Sequence, residues 1–189
     1  MIEFITQVDF SILHFIWNNL HNSFMDAFMV FLSIVGEGGA VWFLIAIPML
    51  FFRKTRVCGV VMILSMGITL LSGEFILKNL IGRVRPCNVN TDIELLVNRP
   101  DSFSFPSGHT GSSFTAATCI FIWKKKAGIG AYILAALIAF SRLYNYVHYP
   151  SDILGGIVLG VLVSSLIYHI FKKYQFDNKI ENLKFSRRS

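Results

Sequence analysis

The sequence predicts an all-α fold: an integral membrane bundle of six transmembrane helices with an N-terminal interfacial helix. Three observations predict it. Hydrophobic residues make up 54 % of the 189-residue chain and charged ones only 15 %, where a soluble domain carries roughly a quarter charged residues. Mean hydropathy is +0.59, and the apolar residues gather into runs such as 57–77, 127–140 and 153–171, near the length of about 20 that crosses hydrocarbon. Basic residues cluster directly after apolar runs, the pattern that fixes orientation across a bilayer.

Residues 10–20 are aromatic with scattered polar positions and read as a helix lying in the interface. The first crossing is expected over 24–36, short and with Asp26 near its start. After the Gly36-Glu37-Gly38-Gly39 break, a second covers 40–52 and a third 57–80. A polar loop to residue 105 follows, whose Pro86 and Pro100 oppose regular helix. The fourth crossing is expected over 106–123, the fifth over 128–146 and the sixth over 150–171. Residues 1–172 then form a single membrane domain and 173–189 a basic cytoplasmic tail. The early Glu3 and Asp9 argue against a cleavable secretory signal. Cys58, Cys87 and Cys119 fit neither a zinc site nor a disulfide framework, and Cys87 falls in the polar loop, open to an impermeant thiol reagent.

The net charge of +6 does not imply a nucleic-acid partner, because of where the charge lies. Twelve of the seventeen Lys and Arg residues form three patches: Arg53, Lys54 and Arg56; Lys124, Lys125 and Lys126; and the tail from Lys172 to Arg188. With these inside, both termini are expected in the cytoplasm, and 36–39, 81–106 and 145–150 face outward across the plasma membrane. The other five, Lys78, Arg83, Arg85, Arg99 and Arg142, all fall on the outward side against the rule. An ion inside a membrane helix costs about 2.5–3.5 kcal/mol at the bilayer centre and marks a cavity or a partner.

Their neighbours suggest a chemistry. Lys78 and Arg85-Pro86 close the third crossing, Pro106-Ser107-Gly108-His109 opens the fourth, and Ser141-Arg142 closes the fifth before His148 and Asp152. Phosphoryl transfer spreads negative charge over three oxygens and is catalysed mainly by positioning and electrostatics. Arg85 and Arg142 can offer donor forks and Lys78 a point charge. Pro106 suits a first helical turn, and Ser107, Gly108 and His109 then place N–H groups at a positive helix end. Asp152, in the first turn after Pro150, can hold one nitrogen of His148 and leave the other free to attack phosphorus. His109 is the candidate acid and base. There is no carboxylate cluster for a metal pair, so no metal and no cofactor is expected.

These residues resemble the type 2 phosphatidic acid phosphatase superfamily, whose pattern is Lys-x6-Arg-Pro, Pro-Ser-Gly-His and Ser-Arg-x5-His-x3-Asp. All eleven fixed positions stand in order at Lys78, Arg85, Pro86, 106–109, Ser141, Arg142, His148 and Asp152. The resemblance implies a membrane lipid phosphatase with His148 as nucleophile, Asp152 as its orienting partner and His109 as acid/base. It implies Lys78, Arg85, Ser107, Gly108 and Arg142 as phosphate ligands. The short chain resembles bacterial members acting on undecaprenyl diphosphate. Phosphatidic acid, phosphatidylglycerophosphate and transfer to another acceptor are the alternatives.

Glu74 reads as a charge partner of Lys78 or a headgroup contact, and Arg83 and Arg99 as further headgroup candidates. Glu37 is a candidate for positioning substrate, and Tyr144, Tyr146 and Tyr149 for an interfacial aromatic belt. His14, His21 and His169 read as structural. The expected partners are a lipid phosphate and the bilayer, with pairing to a second copy of the chain left open.

Overall fold

The computed structural model describes residues 2–176 and 180; the tail expected over 173–189 lies largely outside them. Bilayer solvent calls for apolar side chains outside and satisfied polar ones within. Helix α9 (Pro150–Lys173) follows this at every turn: Leu154, Val158, Leu162, Leu166 and Ile170 are exposed, whereas Asp152, Gly156, Gly160 and Ser164 are buried. Helix α8 (Lys125–Tyr144) exposes Ile129 and Ile133 and buries Ala135, Ile138, Ser141 and Arg142.

The centre of the bundle is α7 (Gly108–Trp123), which packs against α8, α9 and α4 (Arg56–Leu71). Its interior is rich in Ser and Thr, each with a partner: Ser113 accepts from the Trp42 indole at 2.9 Å, and Thr115 bonds Thr69 at 2.9 Å. Gly156 and Gly160 let α9 approach backbone to backbone. A Cβ on Gly160 would lie 2.6 Å from the Gly111 carbonyl, and one on Gly156 2.8 Å from that of Ser107. Small residues one turn apart are the usual means of close helix contact in a membrane.

Before α4 come α1 (Ile2–Leu20), α2 (Ser23–Val35), a 3-10 turn at Glu37–Gly39 and α3 (Ala40–Met49). After it, a π-helical stretch Ser72–Leu77 leads into α5 (Lys78–Ile81), ended by Gly82 in the left-handed region that glycine enters freely. A short α6 (Pro86–Val89) follows.

Six separate crossings are not what the described residues form. At 1.5 Å per residue, the 13 residues of α2 and the 10 of α3 are each too short. Together they make one broken span, bent by 46°. Three further stretches, Arg56–Val89, Lys125–Tyr144 and Pro150–Lys173, are long and apolar enough to cross. Among the described residues three helices, or four spans if the bent pair is one, are thus long and apolar enough to cross, and α7 is enclosed by them. Helix α1 does not enter it: Phe10 packs edge-on to Tyr149, and the Leu20 carbonyl accepts from the Tyr144 hydroxyl. It thus lies along the end of the bundle that carries 144–151, opposite the basic turns at 53–56 and 124–126. Helix α1 and the end of α9 at Lys173 thus lie at different ends of the bundle, the latter on the side where Arg56 reaches the Ile180 carbonyl.

Candidate active site

Residues far apart in sequence meet at that end around a cavity of about 830 Å³, lined among others by Ser33, Glu37, Glu74, Lys78, Arg85, Arg99, Gly108, His109, Arg142 and His148. His148 stands in the short connection between α8 and α9. Tyr146 adopts φ 55° there, a left-handed turn that brings the chain back toward α9. The two nitrogens of His148 have different partners. Nδ1 lies 3.4 Å from Asp152 Oδ2, and Nε2 lies 3.0 Å from an Arg85 Nη1. A carboxylate can only accept and a guanidinium can only donate, so the proton sits on Nδ1 and the lone pair on Nε2. Burial drives the His148 pKa down to about 3; the Asp152 hydrogen bond opposes this, and the Arg85 and Arg142 charges add to it. The ring is neutral at physiological pH, as a nucleophile requires.

Asp152 is fully buried in the first turn of α9. Its Oδ2 also accepts from the Ser104 hydroxyl and from the Tyr149 N–H at 2.9 Å. Its Oδ1 accepts from Arg83 at 2.7 Å.

The cations are partly engaged. Arg85 donates to the Ser102 carbonyl, the Ser102 hydroxyl, the Val147 carbonyl and His148, which leaves one of its five N–H groups. Lys78, itself buried, donates to Glu74 at 2.7 Å and Ser102 at 3.1 Å, which leaves one of three. Arg142 is 6 % exposed and donates to the Ser33 hydroxyl, and its Nε finds no acceptor among the described residues. A buried donor without a partner calls for an anion or water in the cavity. The first-turn N–H groups of Gly108 and His109, which have no acceptor within α7, add to these donors. His109 Nε2 lies 3.2 Å from the Ser33 carbonyl and 3.4 Å from Glu37 Oε2, so that nitrogen carries the proton.

The PAP2 superfamily profile matches residues 55–176. The chain belongs to the PAP2 superfamily. It is 33 % identical to the undecaprenyl-diphosphatase of Sulfolobus acidocaldarius over 77 % of this chain and 70 % of that protein. It is 32 % identical to the lipid A 4'-phosphatase of Bacteroides thetaiotaomicron, over 92 % of this chain and 81 % of that one. The crystal structure of the PAP2 type phosphatidylglycerolphosphate phosphatase from Bacillus subtilis superposes with a TM-score of 0.71 at 29 % identity, covering 95 % of this chain and 89 % of that one. The chain is thus a membrane phosphatase related to enzymes of lipid phosphates.

Several placements in this PAP2 phosphatase differ from what the sequence suggests. Pro106 precedes α7, and Ser107 is its N-cap, accepting from the Thr110 N–H at 3.4 Å and the Thr110 hydroxyl at 3.0 Å. Ser107 is therefore a helix cap and is not among the residues that line the cavity. Arg83 is outside the cavity lining, with both of its terminal nitrogens drawn to buried carboxylates. Arg99 does line the cavity, held to the Cys87 carbonyl and to Asn88 at 3.1 Å. Tyr144, Tyr146 and Tyr149 are buried under α1 instead of forming an exposed belt. Cys87 is fully buried with Leu13 and Tyr146, so it is not open to a thiol reagent. His21 sits 3.0 Å from Asp26 and stacks on Tyr144.

Sequence reasoning passed over Ser33, Ser102 and Asp9. The serines carry no signal in their spacing. Asp9 does carry one: an acid set between Val8 and Phe10 in a helix with an apolar flank needs a partner.

Proposed function

We propose that the chain hydrolyses the terminal phosphate of a lipid diphosphate, undecaprenyl diphosphate foremost, through a phosphohistidine on His148. The observation that carries this reading is the orientation of His148. Its Nδ1 is committed to Asp152, and its Nε2 carries the lone pair, accepting from Arg85, in a residue that lines a cavity bordered by three cations and a second histidine.

The terminal phosphate enters among Lys78, Arg85, Arg142 and the start of α7, where the unspent donors take its three equatorial oxygens. His148 Nε2, released from Arg85, attacks phosphorus. The bond to the bridging oxygen breaks as His109, doubly protonated with its Nε2–H held by Glu37, gives its Nδ1 proton to that oxygen of the departing lipid monophosphate. Asp152 stabilises the positive charge that develops on the imidazole. His109 then takes a proton from water, whose oxygen attacks the phosphohistidine and releases phosphate and neutral His148. Glu37 holds the Nε2 side of His109 throughout. Lys78, Arg85 and Arg142 supply the charge stabilisation, so the reading needs no metal. The basic turns at 53–56 and 124–126 support a reading in which the opposite end of the bundle is cytoplasmic, the active site faces outward across the plasma membrane and α1 lies in the outer interface.

The test is phosphate release by the purified protein from undecaprenyl diphosphate, phosphatidylglycerophosphate, phosphatidic acid and lipid A, alongside His148→Ala. Undecaprenyl diphosphate is expected to rank first. His148→Ala should lose turnover and the acid-labile phosphoenzyme while folding normally. Turnover retained by His148→Ala would remove the nucleophile from this reading.

A further inference from the structure

We propose that the N-terminal helix belongs to the catalytic apparatus: Asp9 on α1 holds Arg83 against Asp152, and so fixes the carboxylate that orients His148. The proposal rests on the reading of His148 as nucleophile.

Arg83 bridges two carboxylates that the fold has buried. One Nη donates to Asp152 Oδ1 and to the Ser151 hydroxyl, each at 2.7 Å, and the other donates to Asp9 Oδ2 at 2.7 Å. Its guanidinium lies 3.9 Å over the Tyr149 ring. Asp9 is 2 % exposed and Asp152 0 %. Two desolvated carboxylates side by side require a cation between them, and a planar fork can reach both where an ammonium cannot. Asp9 also reaches the catalytic turn directly, accepting from the Ser151 N–H at 3.0 Å and from the Ser151 hydroxyl.

The two oxygens of Asp152 are thereby divided. Oδ2 serves His148, Ser104 and the Tyr149 N–H, while Oδ1 is taken by Arg83. Arg83 grips the edge of the carboxylate away from the nucleophile and lies outside the cavity lining. It is a positioning residue, with no place at the substrate headgroup. The rest of α1 fits this role. Phe10 packs on Tyr149 and His14 stacks on Tyr146, so the helix covers the segment that carries His148. Its other flank, with Phe4, Ile5, Val8, Ile12 and Phe15, is exposed and apolar, the face an interfacial helix sinks into lipid. The family match begins at residue 55, so Asp9 reaches Arg83 and the catalytic turn from outside the matched region.

The experiment compares Asp9→Asn, Arg83→Gln and the double variant with the parent, in detergent, on whichever lipid the substrate panel ranks first. Asp9→Asn should lower kcat about tenfold with KM kept within about twofold, the signature of a lost transition-state alignment. The double variant should be no slower than Arg83→Gln, because Asp9 acts through Arg83. If Arg83→Gln fails to accumulate with two carboxylates stranded, Asp9→Asn alone decides. Parental kcat in Asp9→Asn overturns the proposal. So does a raised KM with unchanged kcat in Arg83→Gln, which would make Arg83 a headgroup ligand. His148→Ala is run alongside. If it retains turnover, the phosphatase mechanism fails; if it is inactive while Asp9→Asn matches the parent, the clamp alone fails.

Discussion

Gly156→Ala isolates what the close approach of α7 and α9 does for catalysis. A Cβ at this position would stand 2.8 Å from the Ser107 carbonyl, 2.9 Å from Thr110 Cβ and 3.1 Å from the Gly111 nitrogen. Two of these neighbours are backbone, so no side-chain rotation relieves them. Ordinary contact begins near 3.4 Å, so α7 and α9 must part by roughly half an ångström. Overpacking of this kind costs about 1–3 kcal/mol, against which the better helix propensity of alanine returns up to about 1 kcal/mol. The functional cost is larger than the structural one. Helix α7 begins with Gly108 and His109, and α9 holds Asp152 one turn before Gly156, so the separation widens the proposed phosphate site. A misplacement of about 1 Å can cost 10²-fold, and about tenfold in kcat is expected here.

Thermal unfolding in detergent and steady-state kinetics measure the two effects separately. Gly67→Ala, in α4 with nothing within 4 Å of its added methyl, serves as the reference and should be neutral or slightly stabilising. If Gly156→Ala unfolds and turns over like Gly67→Ala, backbone contact does not set the spacing of the two catalytic helix ends.

Three further outcomes are expected. Stability should depend on pH through His148: its pKa is about 6.5 when unfolded and is pushed down to about 3 when folded. Below pH 6.5 the unfolded chain binds the extra proton, so this contribution is full above that pH and is lost as pH falls toward 3. The melting temperature of the parent should therefore fall relative to His148→Gln between pH 7 and 4, and parallel curves would contradict a buried neutral ring. Glu74→Gln should tighten inhibition by inorganic phosphate, because the carboxylate lies against Gly108 and pairs with Lys78 at 2.7 Å. The pair is partly exposed, so the gain is roughly three- to tenfold, and unchanged or weaker inhibition would show that Glu74 does not compete for the anion site. Finally, an impermeant maleimide applied to intact cells should label Gln7→Cys and Thr91→Cys but reach Lys125→Cys only after permeabilisation, while the buried Cys58, Cys87 and Cys119 stay silent. Labelling of Lys125→Cys from outside would invert the proposed orientation.

What the sequence discloses about this phosphatase depends on how local each signal is. Lys78, Arg85, His109, Arg142, His148 and Asp152 are legible because each stands at a helix end, marked by proline, glycine or an out-of-place charge. The long apolar runs of α4, α8 and α9 are legible for the same reason. The α2–α3 span is not, because its two halves are individually plausible short helices and only their packing joins them. The partnership of Asp9 with Arg83 is invisible locally: the two are 74 residues apart, and the loop around Arg83 gives no reason to deny it a place at the headgroup. Yet the same rule that singled out Lys78, Arg85 and Arg142, that an ion in apolar surroundings must answer to a partner, applies to Asp9 in α1. Applied to acids as strictly as to bases, it marks α1 as more than an anchor. The charge it brings to the bundle end needs a cation, and in this fold Arg83 meets that need while also gripping the carboxylate beside His148.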